Sequence, residues 1–321
     1  RALHLPIFID TNLAKASTTR TYNIYDKSGA QSGSIILPWY TQRLTTADGS
    51  INTGFSAVSS WYNSLVGTVR QPMRHGLELL LNYTFSKTTD FGQVGGQFGT
   101  FYGSNFPIDP YNIKGERGLS DLNQTHRFVG SVVYAPQMFH SLQNNVARYA
   151  LDGWSISGIT TDASGFPITA FMSANAQGAL DGGLTGGTMS SSSGLGSPGR
   201  APQVGRNVFK GPGFNDLDMR ISRSFPIHEK VSFQFLAEAF NLLNHPNVLS
   251  VATTGYFYVA PGKSSGGVAC PSVAGSGASN FNGCIVPEVA PYTSSPLGTA
   301  TSTSGVLYTE RQLQFSGKIF F

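Results

Sequence analysis

Four stretches of the chain alternate apolar and polar residues with a period of two, and this pattern restricts the possible folds most strongly. From Leu77 to Ser86, leucine and aromatic side chains fill the odd positions, while the even positions are mainly polar. The same alternation runs from Leu217 to Phe225, from Val231 to Phe240 and from Gln312 to Phe321. Because successive side chains of a strand point to opposite faces, each stretch predicts a β-strand with one apolar and one polar face.

Less regular alternation predicts further strands at 1–9, 61–70, 127–135 and 154–166. Together with the first set, this gives about eight strands, long enough to cross a membrane as a tilted β-barrel wall. Arg223 interrupts the apolar positions near the end of one strand, where we expect its long side chain to reach the membrane interface.

The connections between these strands alternate in length. Only 71–76 and 226–230 join two of the strand pairs, and the intermediate 136–153 falls where a third short turn is expected. Transmembrane barrels alternate short periplasmic turns with long extracellular loops. The pattern therefore predicts that every long polar tract lies outside the cell. These tracts are 10–60, 87–126, 167–214 and 245–310.

The composition favours the same class of protein. Only 12% of residues are charged, about half of the roughly 25% that is usual in soluble domains. No run approaches the ~18 apolar residues of a membrane-spanning helix. A soluble β-sandwich also alternates, but four long tracts within one sandwich are improbable. The net charge is +4, but the basic residues form no cluster, so nucleic acid is not an expected partner.

The two cysteines, Cys270 and Cys284, lie in one Gly-, Ser- and Asn-rich stretch without companions at metal-ligand spacing. A disulfide that closes a surface loop is the favoured interpretation, and it implies an oxidising compartment. A pair of free thiols is the alternative.

One group of charged residues precedes a strand: Asp109, Glu116, Arg117 and Asp121. These residues are candidates for an extracellular gate or a solute contact. The alternative, which we favour, is a loop base held by ion pairs and by the turn chemistry of Asp109 before Pro110.

A second charged group, Asp218, Arg220 and Glu238, is predicted on the polar faces of neighbouring strands. If those faces point inward, the three side chains line the lumen and contribute to a polar path for solute. Simple pairing across strands is the more economical interpretation.

Nothing in the sequence predicts chemistry. The Gly-rich run 92–99 does not form a dinucleotide or phosphate-binding loop, no nucleophile elbow occurs, and His245 before Pro246 has no second histidine at useful spacing. We therefore expect no catalytic residues, no metal site, no cofactor and no enzymatic activity. Aromatic residues near predicted strand ends are typical of interfacial girdles: Trp61, Tyr83, Tyr134, Trp154, Phe225, Phe320 and Phe321.

Short motifs along roughly 35–321 occur in an order that resembles a known family. Taken singly each is weak, whereas the ordered set is specific. They are Ser60–Leu65, His75–Leu79, Asn82–Lys87, Asp109–Asn112, Glu116–Asp121, His126–Val129, Gly153–Gly158, Ser164–Pro167, Gly205–Asn207, Gly211–Asn215, Glu238–Pro246 and the terminal Phe321. The chain is similar in these motifs to the barrel of Oar-like TonB-dependent outer-membrane transporters.

The resemblance implies more than the alternation does. Such transporters have a barrel of about 22 strands closed by a plug domain, which a TonB-contacting box precedes. Residues 1–321 would then be the C-terminal part of the barrel, without the plug and N-terminal domains, and strands at the cut would leave an open edge.

The implied function is TonB-dependent uptake of a solute across the outer membrane. The expected partners are outer-membrane lipid, the protein's own plug, the TonB complex and a small solute. Iron chelates, cobalamin, glycans and peptides all remain open as that solute. A non-transporting adhesin or structural barrel is the alternative, and a barrel-embedded hydrolase fares worse because no catalytic set is evident.

Overall fold

The computed structural model describes residues 2–49, 51–91, 107–136, 139, 141, 143–173, 199–228, 231–272, 280–303 and 310–321. The regular secondary structure is almost entirely β-strand, as predicted. Its strands are β1 (Ala2–Asp10), β2 (Thr18–Tyr25), β3 (Gln31–Trp39), β4 (Asn52–Arg74), β5 (Leu77–Asp90), β6 (Gly118–Leu119), β7 (His126–Tyr134), β8 (Trp154–Ala163), β9 (Pro167–Ile168), β10 (Phe171–Met172), β11 (Phe209–Lys210), β12 (Phe214–His228), β13 (Val231–Phe240), β14 (Ser250–Val251), β15 (Thr254–Val259), β16 (Ser264–Ser265), β17 (Val268–Ala269), β18 (Phe281–Pro287), β19 (Ala300–Ser302) and β20 (Gln312–Phe320). One α-helix, α1, spans Asn145–Leu151, and a 3-10 helix spans Ile113–Glu116.

The largest sheet is an antiparallel wall with the strand order β1-β4-β5-β7-β8-β12-β13-β20, to which the short β6 adds beside β5. These eight long strands are those that the alternation predicted. The main correction is β4, which begins at Asn52 rather than near Trp61. Trp61 and Tyr83 therefore lie within long strands and not at strand ends.

The wall has one apolar and one polar face. On the apolar face, Leu81 is paired with Val69 of β4 and with Gly130 of β7. On the polar face, Thr68 Oγ1 donates to Asn82 Oδ1 at 2.9 Å. Strand registry thus keeps like side chains together across neighbouring strands, because directly paired residues point to the same side.

The apolar face is not covered by a second sheet along much of its height. Leu65 is 71% exposed, Val69 58% and Phe315 69%. In a soluble β-sandwich, positions of this kind are packed against the opposite sheet. The exposed apolar face therefore favours contact with lipid hydrocarbon over a sandwich core.

The connections at one end of the wall are short, and we call this the turn end. His75 and Gly76 close β4 onto β5 with φ values of 51° and 82°, the left-handed geometry of a tight hairpin turn. The connection between β7 and β8 is longer and contains α1, which the sequence did not predict. Asn144 begins this helix by accepting hydrogen bonds from the amides of Val146 and Ala147.

Helix α1 covers Arg223, the residue that we expected to reach the membrane interface. The Arg223 guanidinium lies 4.5 Å from the ring centroid of Phe225 and 5.3 Å from those of Trp154 and Tyr149. Its Nη1 donates to the carbonyl of Ala150 at 3.1 Å. Aromatic rings thus enclose the cation through cation–π contacts.

No helix among the described residues is long and apolar enough to cross a membrane.

The four long connections all emerge at the opposite end, the loop end. Three of them contribute strands to a second, five-stranded sheet in the order β10-β15-β18-β2-β3. We call this sheet and the segments packed on it the loop layer. The tracts 10–60, 167–214 and 245–310, expected only as polar loops, therefore contain ordered β-structure.

The loop layer has a hydrophobic core on each side of its sheet. Along β15, Tyr256 and Tyr258 pack against the first core, while Phe257 and Val259 lie within the second. β15 and β18 are covered on both faces and carry apolar residues at consecutive positions, so they show no period-two alternation. The first core contains Leu13, Tyr22, Leu37, Tyr40, Ala170, Met172, Ala201 and Ile285. The second contains Tyr25, Phe257, Val259, Val268, Cys270, Phe281, Cys284 and Val286.

Cys270 and Cys284 are joined by a disulfide, with their Cα atoms 5.8 Å apart. Both are buried in the second core. The bond joins the residue after β17 to the middle of β18, so it links two parts of the loop layer across 14 residues of sequence.

The assignment of the two faces predicts unequal costs for the same substitution at adjacent positions. Leu81→Arg would put a charge near the middle of the apolar face and should destabilise the folded protein by about 2–4 kcal/mol. Leu80→Arg, on the polar face, should cost roughly 1 kcal/mol or less. Denaturant unfolding of the protein reconstituted in lipid bilayers measures both, and equal losses would contradict the assignment.

Candidate functional site

The polar face of the wall is covered near the loop end. Val58, Ser86 and Asp90 project from this face and are buried, whereas polar-face residues nearer the turn end, such as Arg70 and Glu78, are exposed. Ser86 Oγ donates to the carbonyl of Gln124 at 2.7 Å. The long connections thus fold over the polar side of the wall at its loop end. We call this covered region the mouth, and it is the candidate functional site.

A buried arginine holds the β8–β12 connection to the top of the wall. Arg206 Nη2 donates to the carbonyl oxygen of Asp90 at 3.0 Å and to its carboxylate. Its Nη1 also lies 3.5 Å from Asp121 Oδ1. The side chains of Arg206 and Asp90 are almost wholly inaccessible to solvent, so the pair is a desolvated clamp between distant segments.

Arg200 forms a second clamp of the same kind. It pairs with the carboxylate of Glu116, and both side chains are buried. The other carboxylate oxygen of Glu116 accepts the backbone N–H of Ile108 at 2.7 Å. Burial lowers the pKa of Arg200 from its usual value, and the charge and hydrogen bond of Glu116 oppose that shift.

Asn207 adds hydrogen bonds that join the same segments as the two clamps. Its Nδ2 donates to the carbonyl of Leu119 at 2.8 Å and to Asp121 Oδ1 at 2.6 Å. Thr169 Oγ1 donates to Asn207 Oδ1 at 2.7 Å and accepts the Asn207 N–H at 3.0 Å. With its amide satisfied on both sides, Asn207 fixes the β8–β12 connection against the segment that follows β6.

The two remaining residues of the first charged group have other partners. Asp109 accepts from the Tyr40 hydroxyl at 2.7 Å and from the Tyr111 N–H at 2.8 Å, the local turn chemistry expected of an aspartate before proline. The Arg117 guanidinium stacks over the Trp61 ring, 4.9 Å from its centroid. The sequence therefore placed Asp109, Glu116, Arg117 and Asp121 in one region. In the structure each of these side chains contacts another segment of the chain and so ties its loop in place.

The second charged group lies on the wall. Arg220 Nε donates to Glu238 Oε1 at 2.7 Å across the β12–β13 pairing. Asp218 Oδ1 accepts the N–H of Asn241 at 2.9 Å instead of pairing with an arginine. Arg220 and Glu238 thus form the cross-strand pair that the sequence favoured, while Asp218 fixes the start of the β13–β20 connection.

Several holding residues were missed from the sequence: Asp10, Arg43, Asp90, Arg200, Arg206 and Asn207. Arg43 Nη1 lies 2.7 Å from Asp10 Oδ2 and so closes the β1–β4 connection at its base. A usable signal existed, since Arg200 and Arg206 are the two charged residues in an otherwise uncharged stretch between Asp181 and Lys210. Their partners could not be identified, because they lie far away in sequence.

The arrangement is suited to holding loops closed and to releasing them when a pair is broken. Each clamp pairs opposite charges, and bidentate or multiple contacts from a guanidinium strengthen it. Among the described residues, no three His, Cys, Asp or Glu side chains are grouped so that they could hold a metal ion.

Substitutions at Arg206 and Arg220 should separate a buried clamp from an exposed pair. Arg206→Ala removes the cation beside the buried Asp90 carboxylate and should cost about 3–5 kcal/mol. Arg220→Ala, whose side chain is 54% exposed, should cost only about 0.2–1 kcal/mol. Hydrogen exchange of the β10, β15 and β18 amides should rise in the first variant and remain unchanged in the second. Unchanged exchange in Arg206→Ala would contradict the clamp.

A comparison with known proteins agrees with this architecture. No curated protein and no solved structure is similar enough to the chain to count as a match. The family model described as "Outer membrane beta barrel domain" matches residues 1–314, which is nearly the whole chain. It covers the first seven long strands of the wall, the start of β20 and the connections that build the loop layer. The chain therefore belongs to the outer membrane β-barrel domain family, and its place is the outer membrane.

Proposed function

We propose that this chain forms part of the wall and the outer gate of a transporter that takes up a solute across the outer membrane with energy delivered through TonB. The observation that carries the proposal is the loop layer, in which all the long connections emerge at one end and fold over the polar face. A gate needs a covered mouth above a polar path, and Arg220, Glu238, Thr68 and Asn82 are polar groups on that path.

The edges of the wall support a larger barrel. Among the described residues, β1 pairs only with β4, and β20 pairs only with β13. An exposed strand edge is costly in hydrocarbon, because its N–H and C=O groups have no partner there. We infer that further strands continue the wall, so that residues 1–321 are the C-terminal part of a barrel that a plug domain closes. This agrees with the ordered motifs shared with Oar-like transporters.

In this proposal the chain breaks no covalent bond and needs no cofactor. Asp109, Glu116, Arg117 and Asp121 belong to the gate, and Asp218, Arg220 and Glu238 face the plug or the solute. The clamps at Arg200 and Arg206 would hold the closed state. A solute that binds the open state more tightly than the closed state would weaken these clamps and so open the mouth.

A surface adhesin or structural barrel is the second candidate. The loop layer has two cores of its own and leaves Ile36 and Leu44 exposed, as a binding platform would. An adhesin has no need for the TonB complex, and this separates the two candidates.

Binding to TonB tests the proposed transport. The intact protein extracted from outer membranes should be retained by the immobilised periplasmic domain of TonB. A variant that lacks only the TonB-contacting segment, which the proposal places before the plug, should pass through unretained. Failure of the intact protein to bind would favour the adhesin.

Cysteine labelling tests the orientation. Leu44 of the loop end is 68% exposed and Val146 of α1 at the turn end is 78% exposed, so either position is accessible to reagent. On whole cells, a membrane-impermeant maleimide should label Leu44→Cys and should reach Val146→Cys only after the outer membrane is permeabilised. The reverse pattern would place the loop layer in the periplasm and end the gate proposal.

A further inference from the structure

A furrow runs along the apolar face of the wall over β7 and β8. Its lower part is a purely apolar cavity of about 180 Å³ lined by Leu79, Leu81, Gly130, Val132, Leu217 and Met219, among others. Its upper part is a cavity of about 470 Å³ that contains Tyr83, Phe128, Asp162 and Asn215.

Strand registry places the two parts in adjacent rows of the same face. Phe128 is paired with both Tyr83 and Asp162, and this row forms the upper cavity. The next row on the same face, toward the turn end, is Leu81, Gly130 and Thr160, which belongs to the lower cavity. A third cavity of about 210 Å³ shares His126 and Ser164 with the upper one and extends to Lys210 in the loop layer.

Two glycines form the floor of the lower part. Gly130 and Gly158 lie within regular strands, where glycine weakens the sheet and often marks the close approach of another molecule. A Cβ at Gly158 would touch Asp218 O at 3.5 Å, Met219 Cγ at 3.7 Å and Val132 Cγ1 at 3.7 Å, so a larger side chain there would enter the lower cavity. At Gly130 the space is already taken, because an added Cβ would lie 3.2 Å from both Leu81 Cδ2 and Phe128 Cζ.

The upper part carries polar groups beside aromatic rings. The Tyr83 hydroxyl lies 2.8 Å from His126 Nδ1. Asp162 accepts from Thr160 Oγ1 at 3.1 Å and from the Asn215 amide, while the rings of Phe128 and Phe214 form part of the lining. A carboxylate disfavours a purely anionic head group by like-charge repulsion but accepts hydrogen bonds from hydroxyls. Hydroxyl and carboxylate groups next to apolar rings suit a saccharide.

We propose that the furrow binds one acylated saccharide of the outer leaflet, with its chain over Gly158 and its sugar among Tyr83, His126 and Asp162. The family places the apolar face in contact with lipid. The choice of leaflet rests on the orientation in the proposed function, which cysteine labelling checks separately. Transport itself is not required, so the site could exist in an adhesin as well.

The test uses three probes on the intact protein held in an amphipathic polymer, which avoids a competing detergent chain. Dodecyl maltoside combines chain and sugar, maltose supplies the sugar alone, and dodecylphosphocholine supplies the same chain with another head. Native mass spectrometry should show one tightly bound dodecyl maltoside. Maltose and dodecylphosphocholine should each bind roughly tenfold more weakly or worse, since each lacks one half of the contacts.

Variants of the furrow define the site. Gly158→Leu should weaken dodecyl maltoside binding roughly tenfold by filling the lower cavity, and Gly158→Ala should give a smaller loss if the larger side chain prevents folding. Asp162→Ala should reduce the affinity for dodecyl maltoside to that for dodecylphosphocholine. Leu313→Phe is the control, because Leu313 lies on the same face, is 64% exposed and is on β20, two strands away from the furrow. It should bind as the parent protein does.

Three results would overturn the proposal. Equal affinity for dodecylphosphocholine would show a hydrocarbon furrow without a saccharide site. Equal affinity for maltose would show a sugar site without a chain. Equal losses in Leu313→Phe and Gly158→Leu would show that the bound molecule lies elsewhere on the apolar face.

Discussion

Hydrogen bonding between neighbouring strands is the constraint on which the rest of this structure depends. In hydrocarbon no water satisfies a backbone N–H or C=O group, so each strand of the wall needs a partner on both sides. The antiparallel ladder from β1 through β20 meets that need along its interior. Once the ladder fixes the registry, every side chain is assigned to a face, and apolar and polar residues must alternate. The exposed leucines on one side and the Arg220–Glu238 pair on the other follow from the same backbone arrangement.

The loop layer is stabilised by a different set of interactions. It has its own two-sided core, and charged side chains attach it to the wall. Arg43, Arg200 and Arg206 pair with carboxylates 33, 84 and 116 residues away in sequence. Each pair is buried or nearly so, and breaking one of them leaves a desolvated charge. Such pairs make the position of a loop depend on a few contacts. A structure that must both close and open can use that property, whereas a continuous hydrophobic interface would resist opening.

These two kinds of interaction explain what could be predicted from the sequence. The wall was predictable because its signal is local: a period of two within ten residues reports which face meets lipid. β4 was underestimated because its upper half, 52–60, is rich in Ser, Gly and Ala and lacks the apolar and polar alternation of its lower half. In the loop layer, β15 and β18 are covered on both faces and show no period of two. Glu116 and Asp121 were identified as site residues, but Arg200 and Arg206 were not. Their isolation in an uncharged stretch was a signal, yet pairing over such distances does not reveal the partner in a single sequence. Helix α1 was missed for a related reason, because its role is to cover Arg223 and not to continue a pattern.

The length of β4 has a consequence for the electrostatic environment of the loop layer. Its 23 residues span roughly 75 Å at about 3.3 Å per residue, and a tilt near 45° reduces this to a height of about 50 Å. The hydrocarbon-facing band of such a wall is only about 25 Å tall, so about half of β4 stands clear of the bilayer. Head-group charges are screened within about 8 Å at physiological salt. A molecule arriving at the top of the wall would therefore respond to the charges of the protein and hardly at all to those of the surrounding lipid.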